Sequence, residues 1–261
     1  MFKLLKSDFY KIFRMKSFYV CAILSMVFAG LAVFAQDFLI YNQYGMYGLT
    51  PSFLGLTYFD GFKTALGAPG LFVMIVLSIF IASEFKFGTI KNMVSSGVGR
   101  VKIYFSKFIV GISISFVYAI LSGITGALVA FFIEWNKVEF TRTFCLDALK
   151  VFGLYLLAEI AMQSIYMMVA FLTKSTGIAI TTNVVIYYLF SSFFELINYG
   201  VKNWLHVENF KFSTYWPATY ISTFLSEISQ KDINTGIIVC SAYLVAATAL
   251  GIFSFCKRDV K

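Results

Sequence analysis

Two carboxylates stand in this chain where a charge is hardest to keep. Glu159 lies mid-way along an oily run, with Tyr155, Gln163 and Tyr166 at helical spacing on its face. In the following oily run Asn183, Tyr187, Ser191 and Glu195 recur every four residues, which draws one polar stripe down a helix. An ionisable group inside hydrocarbon is expensive, and by default it marks a path, a gate or a relay. Amides and hydroxyls at the same depth also act as glue between helices. Both readings stand for Glu159, Gln163, Asn183, Tyr187, Ser191 and Glu195, the candidate lining of a translocation path. Glu195 also reads as an interfacial residue. A further stripe, Ser115, Tyr118, Ser122 and Thr125, reads as packing.

Catalysis fits these residues poorly. His206 is the only histidine, and it falls in a polar segment far from Ser95 and Ser96. Hydrolysis needs a nucleophile and a base within hydrogen-bond reach. The four cysteines (Cys21, Cys145, Cys240, Cys256) form no CxxC pair, so neither a disulfide framework nor a metal site is expected. No G-x-x-x-x-G-K-[ST] stretch occurs, so the chain lacks a phosphate-cradling loop of its own.

The elements that must hold such residues are membrane spans. Apolar residues make up 59% of the 261 and charged residues 13%, against about 45–50% and about 25% in ordinary globular domains. A bilayer core needs roughly 17–25 helical residues, and six stretches supply them, at about 18–35, 65–83, 108–133, 151–173, 177–199 and 234–256. The expected fold is therefore all-α and polytopic, one six-span domain over residues 1–261. With both ends in the cytoplasm, the cytoplasmic pieces hold 14 of the 21 Lys and Arg but only Asp8, Glu84 and Asp259 as acids. The opposite side holds seven cations and eight acids. The positive-inside rule selects that orientation, and the basic balance then reflects topology and anionic lipid, not nucleic acid.

Two amphipathic pieces flank the spans. Residues 2–14 place Phe2, Leu5, Phe9, Ile12 and Phe13 on one face and Lys3, Ser7, Lys11 and Arg14 on the other, as an interfacial helix does. Their basic stretch is long for a signal peptide. Near the last span, "FSTYWPATYISTFLSEI" is interrupted at Pro217, which predicts two short helices dipping into the outer leaflet. The segment at 36–64 is rich in tyrosine (Tyr41, Tyr44, Tyr47, Tyr58) and reads as an outer aromatic belt.

Between spans two and three lies "SEFKFGTIKNMVSSGVGRVKIYFSK", with five cations and one carboxylate. A helix over residues 84–94 is expected, opened by Glu84 at its positive end. Ile90, Met93 and Val94 form a small apolar patch suited to a groove on a soluble partner. A solvated loop that merely enforces topology explains the same residues equally well.

Glu84-x-x-x-Gly88-Thr89-Ile90, followed by Gly99-Arg100 and Lys107, resembles the pattern in permease subunits of type II ABC exporters. The layout is similar over the whole chain: a basic N-terminal helix, six spans and a re-entrant hairpin before the sixth. Size and loop pattern are most similar to the small bacterial permeases of bacitracin and lantibiotic resistance and of amphipathic-peptide export, phenol-soluble modulins among them. Where members commonly carry Pro before a Ser/Arg pair, this chain has Gly97-Val98-Gly99-Arg100, which implies a looser turn. The resemblance implies a coupling helix over 84–94, with Glu84, Gly88, Thr89, Ile90, Lys91, Met93, Val94 and Arg100 meeting a separate ABC ATP-binding subunit. ATP and Mg would reside in that subunit and no cofactor in this chain. It further implies a second permease copy, membrane lipid contacts, an amphipathic peptide as cargo and a place in a bacterial cytoplasmic membrane. Two alternatives stand beside this one: a permease for lipid or another small amphiphile, and a membrane-embedded enzyme or sensor scaffold with no ATPase.

Overall fold

A computed structural model describes residues 1–45, 58–133, 142–204, 212–225 and 230–257. Tyr47 and His206 lie outside the described residues. The first half holds α1 (Phe2–Arg14), α2 (Lys16–Gly45), α3 (Tyr58–Leu66), α4 (Pro69–Lys86), α5 (Thr89–Ser95) and α6 (Arg100–Ile133). After it come α7 (Arg142–Thr173), α8 (Thr176–Trp204), a 3-10 turn (Phe212–Tyr215), α9 (Pro217–Leu225) and α10 (Gln230–Lys257). Among the described residues no strand occurs, and six helical segments are long and apolar enough to cross a membrane. The protein is an all-α, multi-pass membrane protein.

The second of these segments is broken, where the sequence pattern predicts one helix over 65–83. Proline 69 explains the break. It has no N–H to give Ala65 four residues back, and its ring would strike that carbonyl. Ala68 bonds the Ala65 carbonyl instead (3.2 Å), Gly67 bonds that of Thr64 (3.2 Å), and Pro69 opens α4 at a position where its fixed φ is an advantage. The residues before the break form α3, so part of the expected outer belt is helix packed on α6. Small residues allow that approach: a Cβ added at Gly61 would lie 2.6 Å from that of Ala130, and one at Gly126 would lie 2.3 Å from that of Ala65.

α7 is the core helix, packing against α4, α6, α8, α9 and α10. Residues on all its sides are buried, Tyr155, Glu159, Met162 and Tyr166 among them. α8 is its opposite and leaves Val185, Leu189, Phe190, Phe193 and Leu196 exposed. The 3-10 turn and α9 form the pair of short helices expected around Pro217. Trp216 pins them, stacked on Phe190 (5.5 Å) and edge-on to Tyr243 (5.9 Å), while Gly236 lets α10 pass close over Tyr220 and Phe224.

At the end of the bundle that carries α1 and α5, charge does the fastening. Lys107 on α6 is fully buried between two carboxylates, Asp8 of α1 and Glu84 of α4, each at 2.6 Å. Ser106 donates to Asp8 (2.6 Å), and half-exposed Lys11 reaches Glu84 at 3.0 Å. The Lys107 ammonium also lies 4.4 Å from the centre of the Phe80 ring. Beside this node Arg100 donates to the carbonyls of Phe255 (3.0 Å) and Cys256 (2.8 Å), capping α10 where its dipole is negative. An aromatic cluster of Phe85, Tyr104, Phe171 and Phe255 ties α4, α6, α7 and α10 together at the same level.

Removing one member of a buried ion group strands the others, at a cost of about 3–5 kcal/mol. Lys107→Met should therefore lower unfolding stability in detergent by that amount. Adding Asp8→Asn and Glu84→Gln should recover most of it, since the neutral set leaves no uncompensated charge. Stability of the single variant equal to wild type, read by thermal or SDS unfolding, would count against a structural role for the node.

Candidate functional site

The segment expected to meet a partner is not one helix. α4 runs on to Lys86, so Glu84 sits in its last turn and not at the positive end of a new helix. Its charge is balanced there by Lys107 and Lys11. Gly88 then takes a left-handed φ of 66°, a conformation that a side chain disfavours, and α5 starts at Thr89. The short α5 turns its apolar side inward: Ile90 is fully buried, and Met93 and Val94 pack half-buried against the core. This differs from the outward apolar patch expected of the sequence. The reason is that the bundle itself offers an apolar seat. The face left outward consists of Phe87, 76% exposed, with Lys91, Asn92, Ser95 and Ser96. Gly97, at φ 85°, closes the segment, and Arg100 is committed to α10.

Deeper in the bundle the polar residues divide into two groups. Gln163 is glue: its Oε1 accepts from Ser115 (3.0 Å) and its Nε2 donates to the Phe108 carbonyl (3.2 Å). Gly111 leaves the room, since a Cβ there would lie 2.3 Å from Nε2. Asn183 donates to Ser78 (3.1 Å) and to the Tyr166 carbonyl (3.3 Å), joining α8 to α4 and α7. Within the α6 stripe, Tyr118 bonds the Phe18 carbonyl (2.5 Å) and Thr125 that of Leu121 (2.8 Å), whereas Ser122 has no partner among the described residues.

Glu159 belongs to the other group. It is fully buried, and neither carboxylate oxygen has a hydrogen-bond partner among the described residues. The carboxylate faces the first turn of α4, where a Cβ added to Gly70 would lie 3.0 Å from Oε2. The first N–H groups of a helix have no acceptor within it, and that end favours negative charge. The break at Pro69 thus places a helix start against the buried acid. Tyr155, Tyr166 and Tyr187 lie within its electrostatic reach, and the Tyr155 hydroxyl also lacks a partner. Sequence spacing groups Tyr155 and Tyr166 with Glu159, but it does not bring Gly70 there.

Tyr187, Ser191 and Glu195 come together in a groove of about 340 Å³ between α8 and the hairpin at the end away from α1. Ser213 and Thr219 of the hairpin and Gly67 of the α3–α4 break complete it. Ser191 donates to the Tyr187 carbonyl (2.7 Å) and accepts from the Trp216 indole (3.2 Å), and Glu195 is exposed at the rim. Asn183 is not part of this wall.

The buried node was missed by inspection of the sequence, although it left a signal. Asp8 is the lone acid of the basic N-terminal helix, and it falls between Leu5 and Ile12 on the inward side. An acid on an apolar face calls for a buried cation, and Lys107 is that cation.

An uncharacterized membrane protein of Bacillus subtilis (strain 168), YdbK, is 25% identical over 222 residues, covering 82% of this chain and 86% of that protein. Residues 2–260, and so α1, the spans, α5 and the short helices around Pro217 together, match the family described as ABC-2 family transporter protein. The chain belongs to the ABC-2 family of transporter proteins and is a membrane permease of that family.

Proposed function

We propose that this chain is the membrane half of an ATP-driven exporter that moves an amphipathic peptide out of a bacterial cytoplasm or inner leaflet. Family membership implies an ABC ATP-binding partner. In the proposed arrangement the partner meets Phe87, Lys91 and Asn92 on the outward side of α5, two permease copies work together, and α1 and α5 face the cytoplasm. The excess of basic residues at that end supports the orientation.

One observation carries the coupling role. α5 is seated on the core through Ile90, one turn of chain beyond Glu84, and Glu84 is tied through Lys107 to α1 and α6. A displacement applied to the outward face of α5 is therefore delivered to three helices at once. The cargo reading rests on the other end of the bundle. There Tyr188, Phe193, Leu196 and Tyr199 are exposed beside the groove, and aromatic surface of this kind suits molecules that partition at the interface.

Phe87→Asp combined with Lys91→Glu should reduce retention of the ATP-binding partner by inside-out membrane vesicles at least about tenfold, because a few central aromatic and basic residues dominate most interfaces. Expression and membrane insertion should stay normal. Ile90→Asp should instead lower the yield of folded protein. Wild-type retention by the inserted double variant would refute docking on this face.

Glu159 separates stability from transport. A buried carboxylate without partners is a burden on the fold, so Glu159→Leu should raise the unfolding temperature of the permease by a few degrees. In the assembled pump the same change should blunt the stimulation of ATP hydrolysis by amphipathic peptide and leave basal hydrolysis intact. If a lipid or polysaccharide stimulates hydrolysis where peptide does not, the peptide assignment is wrong.

A further inference from the structure

The groove between α8 and the hairpin is chemically one-sided. Its volume of about 340 Å³ lies within the roughly 300–1,000 Å³ usual for sites that hold small ligands. Among the described residues, Glu195 is its charged wall residue, Tyr187 and Tyr188 are its aromatic ones, and neither lysine nor arginine is part of the lining. The two tyrosine rings stand edge-on, with centroids 5.0 Å apart. Serine hydroxyls from α8 and from the hairpin supply the remaining polarity. Gly67 forms part of the lining, three residues before the Gly70 that abuts Glu159. The groove thus has one acid, Glu195, exposed at its rim.

We propose that this groove binds the ammonium group of an amphiphile, so that a cargo held there presents a cationic head. The inference rests on the export reading and adds the sign of the charge. An ammonium satisfies every part of the wall: a charge-assisted bond to Glu195, the negative faces of Tyr187 and Tyr188, and hydroxyl acceptors. An anionic head would be repelled by Glu195, with no cation among the described lining residues to offset it. An uncharged head would leave Glu195 without a counter-charge. The ammonium comes either from a lysine of a cargo peptide or from the ethanolamine head of a membrane lipid.

Trp216 makes the binding measurable, because its indole is bonded to Ser191 in the groove wall. The chain has three tryptophans, so Trp135→Phe and Trp204→Phe leave Trp216 as the only reporter. This variant of the full chain is placed in phosphatidylglycerol nanodiscs and titrated with dodecylammonium, with a leucine–lysine amphipathic peptide and with dodecyl maltoside. The two cations should change the Trp216 emission saturably, and the maltoside should neither do so nor displace them. Glu195→Gln should weaken binding of both cations about tenfold, the worth of one charge-assisted contact. Glu195 is exposed, so the change leaves the fold intact. Replacing part of the phosphatidylglycerol with phosphatidylethanolamine, against a control with the same share of uncharged diacylglycerol, identifies the source. A half-saturation point raised above the control assigns the site to the lipid head, one equal to the control to the cargo, and either keeps the ammonium assignment. With no ATP-binding subunit present, failure here leaves the pump reading standing, and failure of coupling to an ATPase leaves the groove readable. Equal half-saturation in the wild-type and Glu195→Gln proteins, or displacement by the maltoside, would overturn the proposal.

Discussion

Lys107, shut away between Asp8 and Glu84, is the constraint on which the base of this bundle depends. Taking three charges out of water carries a desolvation cost of several kcal/mol per ion unless geometry and further hydrogen bonds compensate. Here both ion pairs are 2.6 Å long, Ser106 completes the coordination of Asp8, and Lys11 supplies a second cation at the open side. Of the three elements concerned, α1 is far from the other two in sequence, and apolar packing alone would let it slide. A point-charge contact does not slide. The node therefore fixes the register of α1 against α4 and α6, and Ile90 carries that register one step further, to α5.

The middle of the bundle is built on the contrary principle. Gln163 and Asn183 hold helices together through hydrogen bonds, as polar side chains in membrane interiors commonly do. Glu159 holds nothing. Its oxygens have no hydrogen-bond partner among the described residues, yet they face the point where a span is broken and α4 begins inside the protein. Broken helices whose positive ends point at a buried polar site belong to the machinery of transport in membrane proteins. The base of the bundle thus pairs its buried charges, whereas the middle leaves a buried acid without a hydrogen-bond partner among the described residues.

Much of this plan is legible in the chain. Six oily runs, the amphipathic start and Pro217 are local signals, and all but the second run, which breaks at Pro69, produced the element expected of them. The polar positions stand out because hydrocarbon tolerates few of them, so Glu159 and the stripe on α8 are found by hydropathy alone. What could not be read depends on partners distant in sequence. Asp8 and Lys107 are separated by 99 positions, and Gly70 meets Glu159 only after α4 has packed on α7. Ile90 looks outward on a helical wheel because the wheel does not show the bundle beneath it. Pro69 does carry a local signal, but the apolar run around it is continuous, and hydropathy cannot show a break.

In the proposed pump α5 and α1 move as one body when the ATP-binding partner closes. Spin labels at positions 7 and 95, both exposed and neither among the proposed partner contacts, report this through the distance between them in the assembled pump. Trapping the closed nucleotide state should leave the 7–95 distance unchanged while the distance between the two copies of position 95 shifts. A 7–95 distance that changes as much as the inter-copy distance would contradict this, because the ionic node would then not be joining α5 to the bundle.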